Sequence, residues 1–521
     1  MDDTLLALDC GTQSLRAMLF AKDGTLLHKV KIEYEPYRSP RPGWAEQDPE
    51  LYWTSLCEAV GTLKLEAREA FDAVRGVGVT TQRDTLVFLD RAGAPARPAI
   101  TWLDTRKART VYRPVWFKRL AFWAVGMLEA VQKTQKECRA SWVRQEQPEV
   151  WARTTKVLQV SGFLNHRLTG AFRDSVANQI GHIPFNYKKM RWARKGELPA
   201  LLFPIDRGLL PELVPAGTVL GTVTADAARA TGLPEGLPVV ACASDKGAET
   251  IGIGCVGEDM ASLSLGTTAT VQTSSPRYFE PVAFMPPYPA AMPGHHNPEV
   301  EIFRGYWMIS WFKRELAPAE VDEARRSGVP PEVILDRFLR DVPPGSMGLV
   351  TLPHWGPSLK MPGTKGSMVG FGDVHTRGYI YRSFLEGLAF GLREGLERIE
   401  KAGGVRISRI GISGGATQSG EICQLTCDIL GRELTAGETF ETAGLGAAAI
   451  TAVGVGLYPA LPDAVAAMVR HGRTYRPRPA EAALYDQLYR RVYRRLYARL
   501  KPLYQEIRSI VNYPARASDE D

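Results

Sequence analysis

The chain opens on an unbroken apolar run, Leu5, Leu6, Ala7 and Leu8, within Thr4 to Cys10, and the run stops at Asp9-Cys10-Gly11-Thr12-Gln13-Ser14. An apolar segment closed by small and hydroxyl residues predicts a buried strand followed by a tight turn. Leu15 to Phe20 alternates as a returning strand, Lys22-Asp23-Gly24 signals a second turn, and Leu26 to Ile32 reads as a third strand. The pattern recurs far downstream as Met260 to Leu265, the turn Gly266-Thr267-Thr268, and Ala269 to Thr273. Two copies of strand, Gly-Thr turn, strand, about half a chain apart, predict two related domains.

Between and beyond the copies, Val74 to Thr80 and Leu237 to Ala243 read as buried strands, and Trp151 to Leu168 has helical spacing that ends at Gly170. Ile407 to Ile412 alternates and runs into Ser413-Gly414-Gly415-Ala416. A helix is predicted from near Ser419, burying Ile422, Leu425, Ile429 and Leu430 and stopping at Gly431. Alternating strands and helices in both halves make an α/β protein. The glycine-rich stretch Gly252 to Gly257 marks the boundary, giving domains at 1–252 and 253–521.

Three further runs test that picture. Val115 to Val131 is apolar and flanked by Arg113, Lys118, Arg119, Lys133 and Lys136. A helix covering its own domain's core is favoured there over a membrane-surface helix. The stretch between Glu441 and Asp463 carries no charge, but glycines and prolines break it, so a buried helix followed by a loop is expected rather than a span. Leu484 to Leu500 places Tyr485, Tyr489, Tyr493 and Tyr497 four apart beside five arginines, which predicts a packed amphipathic helix with a solvated face.

Composition narrows the function classes. A chain of 521 residues, 45% hydrophobic and 23% charged, is of ordinary globular type and too long for one small binding module. Its 64 basic and 57 acidic residues leave +7, too dilute for a nucleic-acid partner and compatible with an anionic substrate. Seven scattered cysteines without a CxxC pair argue against a disulfide framework or zinc knuckle. With acids at Asp2 and Asp3 where an export signal carries bases, a cytoplasmic location is expected.

The chemistry concentrates at strand ends. In the first turn Asp9 stands beside backbone amides and the hydroxyls of Thr12 and Ser14, with Arg16 two residues on. Amides and hydroxyls cradle phosphate oxygens, and a carboxylate holds Mg²⁺ directly or through water. In isolation a plain hairpin turn is the better explanation of these residues. The second Gly-Thr turn tips the balance, because two such hairpins suit one polyphosphate. Asp245 ends the strand Leu237 to Ser244, where α/β folds place ligands, and can accept the proton of an attacking hydroxyl. A helix cap is the plainer role for a lone acid. Gln82-Arg83-Asp84-Thr85 follows another buried strand with donors and acceptors for neighbouring hydroxyls, and Trp102 offers an apolar wall to a polyol's carbon face.

Rival signatures are weaker. No Gly-Lys pair exists, which excludes a Walker A loop, and Gly252-Ile253-Gly254-Cys255-Val256-Gly257 follows a helix rather than a strand. His295-His296 lies in a Pro/Gly-rich loop without metal-ligand spacing. Gly411-Ile412-Ser413-Gly414-Gly415 fits GxSxG, with Asp428 or Asp463 and then His471 in hydrolase order, so a serine hydrolase using Ser413 stays open. A catalytically silent nucleotide-binding regulator is the third class.

Taken together the motifs resemble the FGGY carbohydrate kinases. The resemblance runs from Leu8-Asp9-Cys10-Gly11-Thr12-Gln13-Ser14-Leu15-Arg16 through Gln82-Arg83-Asp84, Trp102-Leu103-Asp104-Thr105-Arg106, Ser244-Asp245, Gly266-Thr267-Thr268 and Gly414-Gly415-Ala416 to Gly444-Leu445-Gly446-Ala447-Ala448. It implies two RNase H-like, actin-like ATPase domains with an interdomain cleft for ATP, Mg²⁺ and a small polyol or ketose. By that similarity Asp245 is the general base, Asp9 the magnesium-side carboxylate, and Thr12, Gln13, Ser14, Arg16, Gly266 and Thr267 the phosphate grip. Gly414, Gly415, Ala416 and Gln418 fall at the adenosine, and Arg83, Asp84, Trp102, Asp245 and Lys246 at the sugar. Lys246 stands where glycerol and xylulose kinases commonly carry glutamine, and Asp84 is one methylene shorter than the usual glutamate. No membrane or nucleic-acid partner is expected, and a homodimer is left open.

Overall fold

The computed structural model describes residues 3–124, 128–356 and 364–511. The chain forms two compact units. The first comprises Met1–Gly254, Tyr288–Asn297 and Glu441–Val469; the second comprises Cys255–Pro287, Pro298–Phe440 and Arg470–Asp521.

In the first unit, β1 (Thr4–Cys10), β2 (Ser14–Ala21) and β3 (Leu26–Glu33) make an antiparallel meander. β1 is buried at every position, as its unbroken apolar run requires. On its other side it pairs in parallel with β4 (Val74–Thr81), and the sheet is completed by β5 (Val219–Thr222) and β6 (Pro238–Ala241) in the order β5-β6-β4-β1-β2-β3. Helices of this unit include α1 (Pro49–Glu66), capped by the Asp48 carboxylate; α2 (Val160–Thr169), ended by left-handed Gly170; and α3 (Asp245–Gly252), capped by the Ser244 hydroxyl. Leu6, Leu8, Val77, Val79, Leu56, Val60 and Phe163 are among the side chains that fill the core between sheet and helices.

The second unit repeats this plan. β7 (Met260–Leu265), β8 (Ala269–Thr273) and β9 (Glu299–Ile302) form the meander, and β10 (Arg409–Ser413), β11 (Leu434–Gly437) and β12 (His471–Tyr475) extend it in the order β9-β8-β7-β10-β11-β12. β7 pairs in parallel with β10, as β1 does with β4. α4 (Arg377–Gly403) and α5 (Gly420–Leu430) pack Leu388, Leu392, Ile422 and Ile429 into its core. The C-terminal tyrosine stripe is a packed helical element over Pro479–Leu488, Tyr489–Tyr493 and Arg494–Val511, with Tyr485, Tyr489 and Tyr493 buried and the arginines of the stripe exposed. The charge-free run is α6 (Thr442–Gly454), buried in the first unit, where it packs on α3 through glycines. A methyl group on Gly252 would overlap the Thr442 carbonyl, and one on Gly446 the Ala248 carbonyl, so the two backbones touch. No helix among the described residues is long and apolar enough to cross a membrane.

Two expectations are corrected. Trp151 to Leu168 is not one helix: a helix over Pro148–Arg153 gives way to a strand, Lys156–Gln159, before α2 begins. That strand pairs with Leu86–Leu89, and its cross-strand bonds outweigh the helical spacing. The helix Trp116–Ala124 does not lay its apolar face on the core. Phe122 packs inward, whereas Trp116, Phe117, Leu120 and Trp123 are 78%, 54%, 57% and 68% exposed. The rest of the run at Val125 to Met127 lies outside the described residues.

Candidate active site

In the first unit the end of β1 brings Asp9 against Arg16 of β2, its register partner, with Arg16 Nη1 3.1 Å from Asp9 Oδ2. The same nitrogen lies 3.4 Å from Oε2 of Glu441, the residue that opens α6, and Lys29 Nζ reaches Glu441 Oε1 at 2.8 Å. Burial pushes the Asp9 carboxyl up to about 6; Arg16 pulls it down, while Asp245, Glu441 and Glu249 push it further up. A carboxylate so crowded by acids fits a divalent cation. Among the described residues no group of three or more metal-ligating side chains exists, so an ion beside Asp9 would take most of its ligands from water and phosphate, the habit of Mg²⁺.

The turn after β1 is braced from several sides. Gly11 N donates to Ser14 O at 2.9 Å, Tyr34 Oη donates to Gly11 O at 2.7 Å, and Gln82 N donates to Cys10 O at 3.0 Å. Thr12 Oγ1 donates to Gln82 Oε1 at 3.2 Å and receives the Trp102 indole N–H at 3.0 Å. Ser14 is buried and Gln13 is exposed at the tip. Trp102 thus stands beside the Gly-Thr turn, with its own backbone N–H on Thr85 Oγ1 at 3.3 Å.

Asp245 is the first residue of α3, where the helix dipole favours its charge. Its Oδ1 accepts from Lys246 N at 2.8 Å and lies 3.9 Å from Arg83 Nε, and the Arg83 guanidinium covers the Tyr288 ring at 5.2 Å. Lys246 Nζ makes an ion pair with Glu249 at 2.8 Å. Burial disfavours the Lys246 charge, but Glu249 and Asp245 hold its ammonium above the usual value.

Asp84 is held in a left-handed conformation at φ 56° and its carboxylate is heavily engaged. His182 N donates to Oδ1 at 2.9 Å, and Oδ2 receives Arg139 Nη1 at 2.8 Å and faces His182 Nδ1 at 2.8 Å. Burial alone would raise this carboxyl, yet Arg139 and His182 hold it well below the usual carboxylate range. Burial works against a charged His182, but Asp84 and Glu137 push its pKa up to about 9, so the ring is a cation at neutral pH.

The second unit holds the other predicted residues. Gly266 and Thr267 turn between β7 and β8, with their carbonyls accepting from Tyr306 N and Trp307 N at 3.1 and 3.3 Å. Gly414 ends β10 at φ +95°, and a side chain there would press on the Leu265 carbonyl carbon and Gly266 N, so the two turns meet through backbone. Gly415 and Gln418 are exposed on the following turn, while Ala416 is buried. Ser413 is buried, with Oγ on Leu263 O at 3.4 Å. Of its supposed partners, Asp428 is committed to Arg478 at 2.6 Å and His471 is exposed at the start of β12. Back in the first unit, His296 lies in a short ladder with Tyr288–Pro289 and contacts Tyr187 O at 3.2 Å.

Sequence reasoning missed Arg139, His182, Glu137 and Glu441. Arg139 and His182 lie 55 and 98 residues from the aspartate they hold, and only loop packing brings them there. Glu249 carried a visible signal, since Lys246 and Glu249 are spaced i,i+3 on one helix.

Two units that repeat one sheet order, each with a tight turn between its first two strands, define an actin-like ATPase fold. Residues 4–252 match the N-terminal domain, and residues 261–455 the C-terminal domain, of the FGGY family of carbohydrate kinases. The uncharacterized sugar kinase YgcE of Escherichia coli (strain K12) is 30% identical over 93% of this chain and 91% of its own length. The xylulose kinase of Lactococcus lactis is 28% identical over 93% of this chain and 94% of its own. The crystal structure of a xylulose kinase from Rhodospirillum rubrum superposes with a TM-score of 0.79 at 28% identity, covering 96% of this chain and all of that one. The chain belongs to the FGGY family of carbohydrate kinases and is a phosphotransferase.

Proposed function

We propose that the enzyme transfers the terminal phosphoryl group of ATP to a hydroxyl of a small sugar or polyol, with Asp245 as general base. The observation that carries this reading is the placement of Asp245. It stands at the start of α3, 3.9 Å from Arg83, in the unit whose Gly-Thr turn touches Trp102. Arg83 and Trp102 bind and orient the sugar. Asp245 takes the hydroxyl proton as the new O–P bond forms and the bond to the bridging oxygen breaks, releasing ADP. Thr12, Gln13, Ser14 and Arg16, with Gly266 and Thr267, grip phosphate oxygens through amides, hydroxyls and the guanidinium. Gly414, Gly415, Ala416 and Gln418 receive the adenosine. Magnesium, held on the side of Asp9, would neutralise phosphate charge. Relatives named xylulose kinase and glycerol kinase support a small polyhydroxylated acceptor.

Asp245→Asn preserves the shape of the side chain and removes the base. Turnover should fall by about 10²–10⁴-fold, with ATP binding by calorimetry nearly unchanged. Normal turnover in that variant would overturn the assignment.

A further inference from the structure

Resting on that reading of the site, we propose that the sugar accepted by this kinase is a sugar acid, with its carboxylate received by Arg139. The argument begins with a surplus of positive charge. Arg139 and His182 meet at Asp84. His182 Nε2 also faces Glu137 at 3.4 Å, and Lys107 reaches Glu137 at 2.9 Å. Arg139 and Lys107 thus share the two carboxylates with the His182 ring, whose Nδ1 also lies 3.3 Å from Arg139 Nη1, and protonation of that ring leaves three cations on two carboxylates. Lys246 with Glu249, and Arg83 with Asp245, are balanced neighbours.

Arg139 leaves one edge of its guanidinium unengaged. The residue is only 5% exposed. Its Nε donates to Thr101 O at 3.1 Å and its Nη1 to Asp84, while its Nη2 has no hydrogen-bond partner among the described residues. That nitrogen is not fully sealed from solvent. An open guanidinium edge in a nearly buried setting is matched by a carboxylate far better than by a hydroxyl.

Position and chemistry agree. Contacts run from Thr12 to Trp102, from the neighbouring Thr101 to Arg139, from Arg139 to Asp84, and from the adjoining Arg83 to Asp245. Arg139 is therefore linked to the proposed base through Asp84 and the adjoining Arg83. Asp84, which would otherwise accept hydroxyl protons, already faces the His182 backbone, the His182 ring and Arg139. The group left to read the far end of the sugar is a cation.

Matched pairs test this: D-gluconate against D-glucitol, and D-xylonate against D-xylitol, with D-xylulose as the neutral ketose. For the intact protein, at least one acid should raise the melting temperature where its alditol does not. Its kcat/KM in ATP consumption should exceed that of the alditol and of D-xylulose by tenfold or more. Arg139→Met should cut the acid-to-neutral ratio of kcat/KM by at least tenfold. Arg139→Lys, which keeps the charge and loses the fork, serves if the first variant misfolds, and should retain part of the ratio. Equal or better use of a neutral sugar, an unchanged ratio in either folded variant, or no thermal response to either acid overturns the inference. If D-xylulose is phosphorylated and Asp245→Asn abolishes it, the kinase reading stands without the sugar acid. If no sugar consumes ATP and ATP itself fails to bind by calorimetry, the kinase reading falls.

Discussion

Asp9 is placed where its charge is unwelcome in the absence of ligand, since burial and three nearby acids push its pKa up to about 6. An unfolded aspartate titrates near 3.9. The folded protein therefore bears no penalty below that value, accumulates one as pH rises toward 6, and carries all of it above. Asp9→Asn removes the penalty. In chelator-containing buffer at pH 8 the variant should be more stable than the parent by on the order of 3 kcal/mol, read by denaturant unfolding, and the gain should vanish at pH 4. Equal stability at both pH values would show that Arg16 already offsets the cost. Local sequence cannot display such a cost, because only the fold brings Asp245, Glu441 and Glu249 near Asp9. Asp9 stands near its strand's end as its apolar run implied, whereas Asp245, expected to end a strand, opens α3 beyond the end of β6 at Ala241. The Arg139–Asp84–His182 cluster was not legible, because no periodicity or motif encodes which loop residues meet.

At the level of elements, the α3–α6 contact decides where Asp245 stands. Gly252 and Gly446 let the two backbones touch, and α3 begins at Asp245 itself. Gly446→Ala should push α3 from its seat and destabilise the protein by about 3 kcal/mol, visible in the unfolding midpoint. Turnover should fall with it, while Gly61→Ala, inside α1 with nothing within 4 Å of the added methyl, should spare both stability and turnover. Parental stability in the Gly446→Ala variant would mean that the helices adjust freely. Strands were the readable elements: β1, β2, β7 and β8 follow their apolar patterns almost residue for residue. Errors arose where pattern met tertiary context. The four-residue strand Lys156–Gln159 hid inside helical spacing, and an apolar helix at Trp116–Ala124 turned its tryptophans outward. Propensity describes a segment alone, and pairing or burial then overrides it.

Across the whole molecule, the two sheets share one order, but their sixth strands arrive differently. β5 precedes β6 in the chain, whereas β12 follows β11. The duplication was legible from its two Gly-Thr turns; the return of residues 441–469 to the first unit was not, since a charge-free helix carries no mark of its destination. Residues 1–254 expressed alone lack α6, and should therefore unfold without a cooperative transition. Supplying 441–469 as a second chain should restore one, and a cooperative transition in the fragment alone would refute this dependence. The arrangement also sets a timetable on the ribosome. Translation at about 5–20 residues per second separates Gly254 from Val469 by roughly 10 to 40 s. For that interval the nascent first half carries an uncovered seat for α6, exposed to chaperones, proteases and neighbouring chains, and the segments bearing Asp9 and Asp245 reach their final setting only once residues 441–469 have been made.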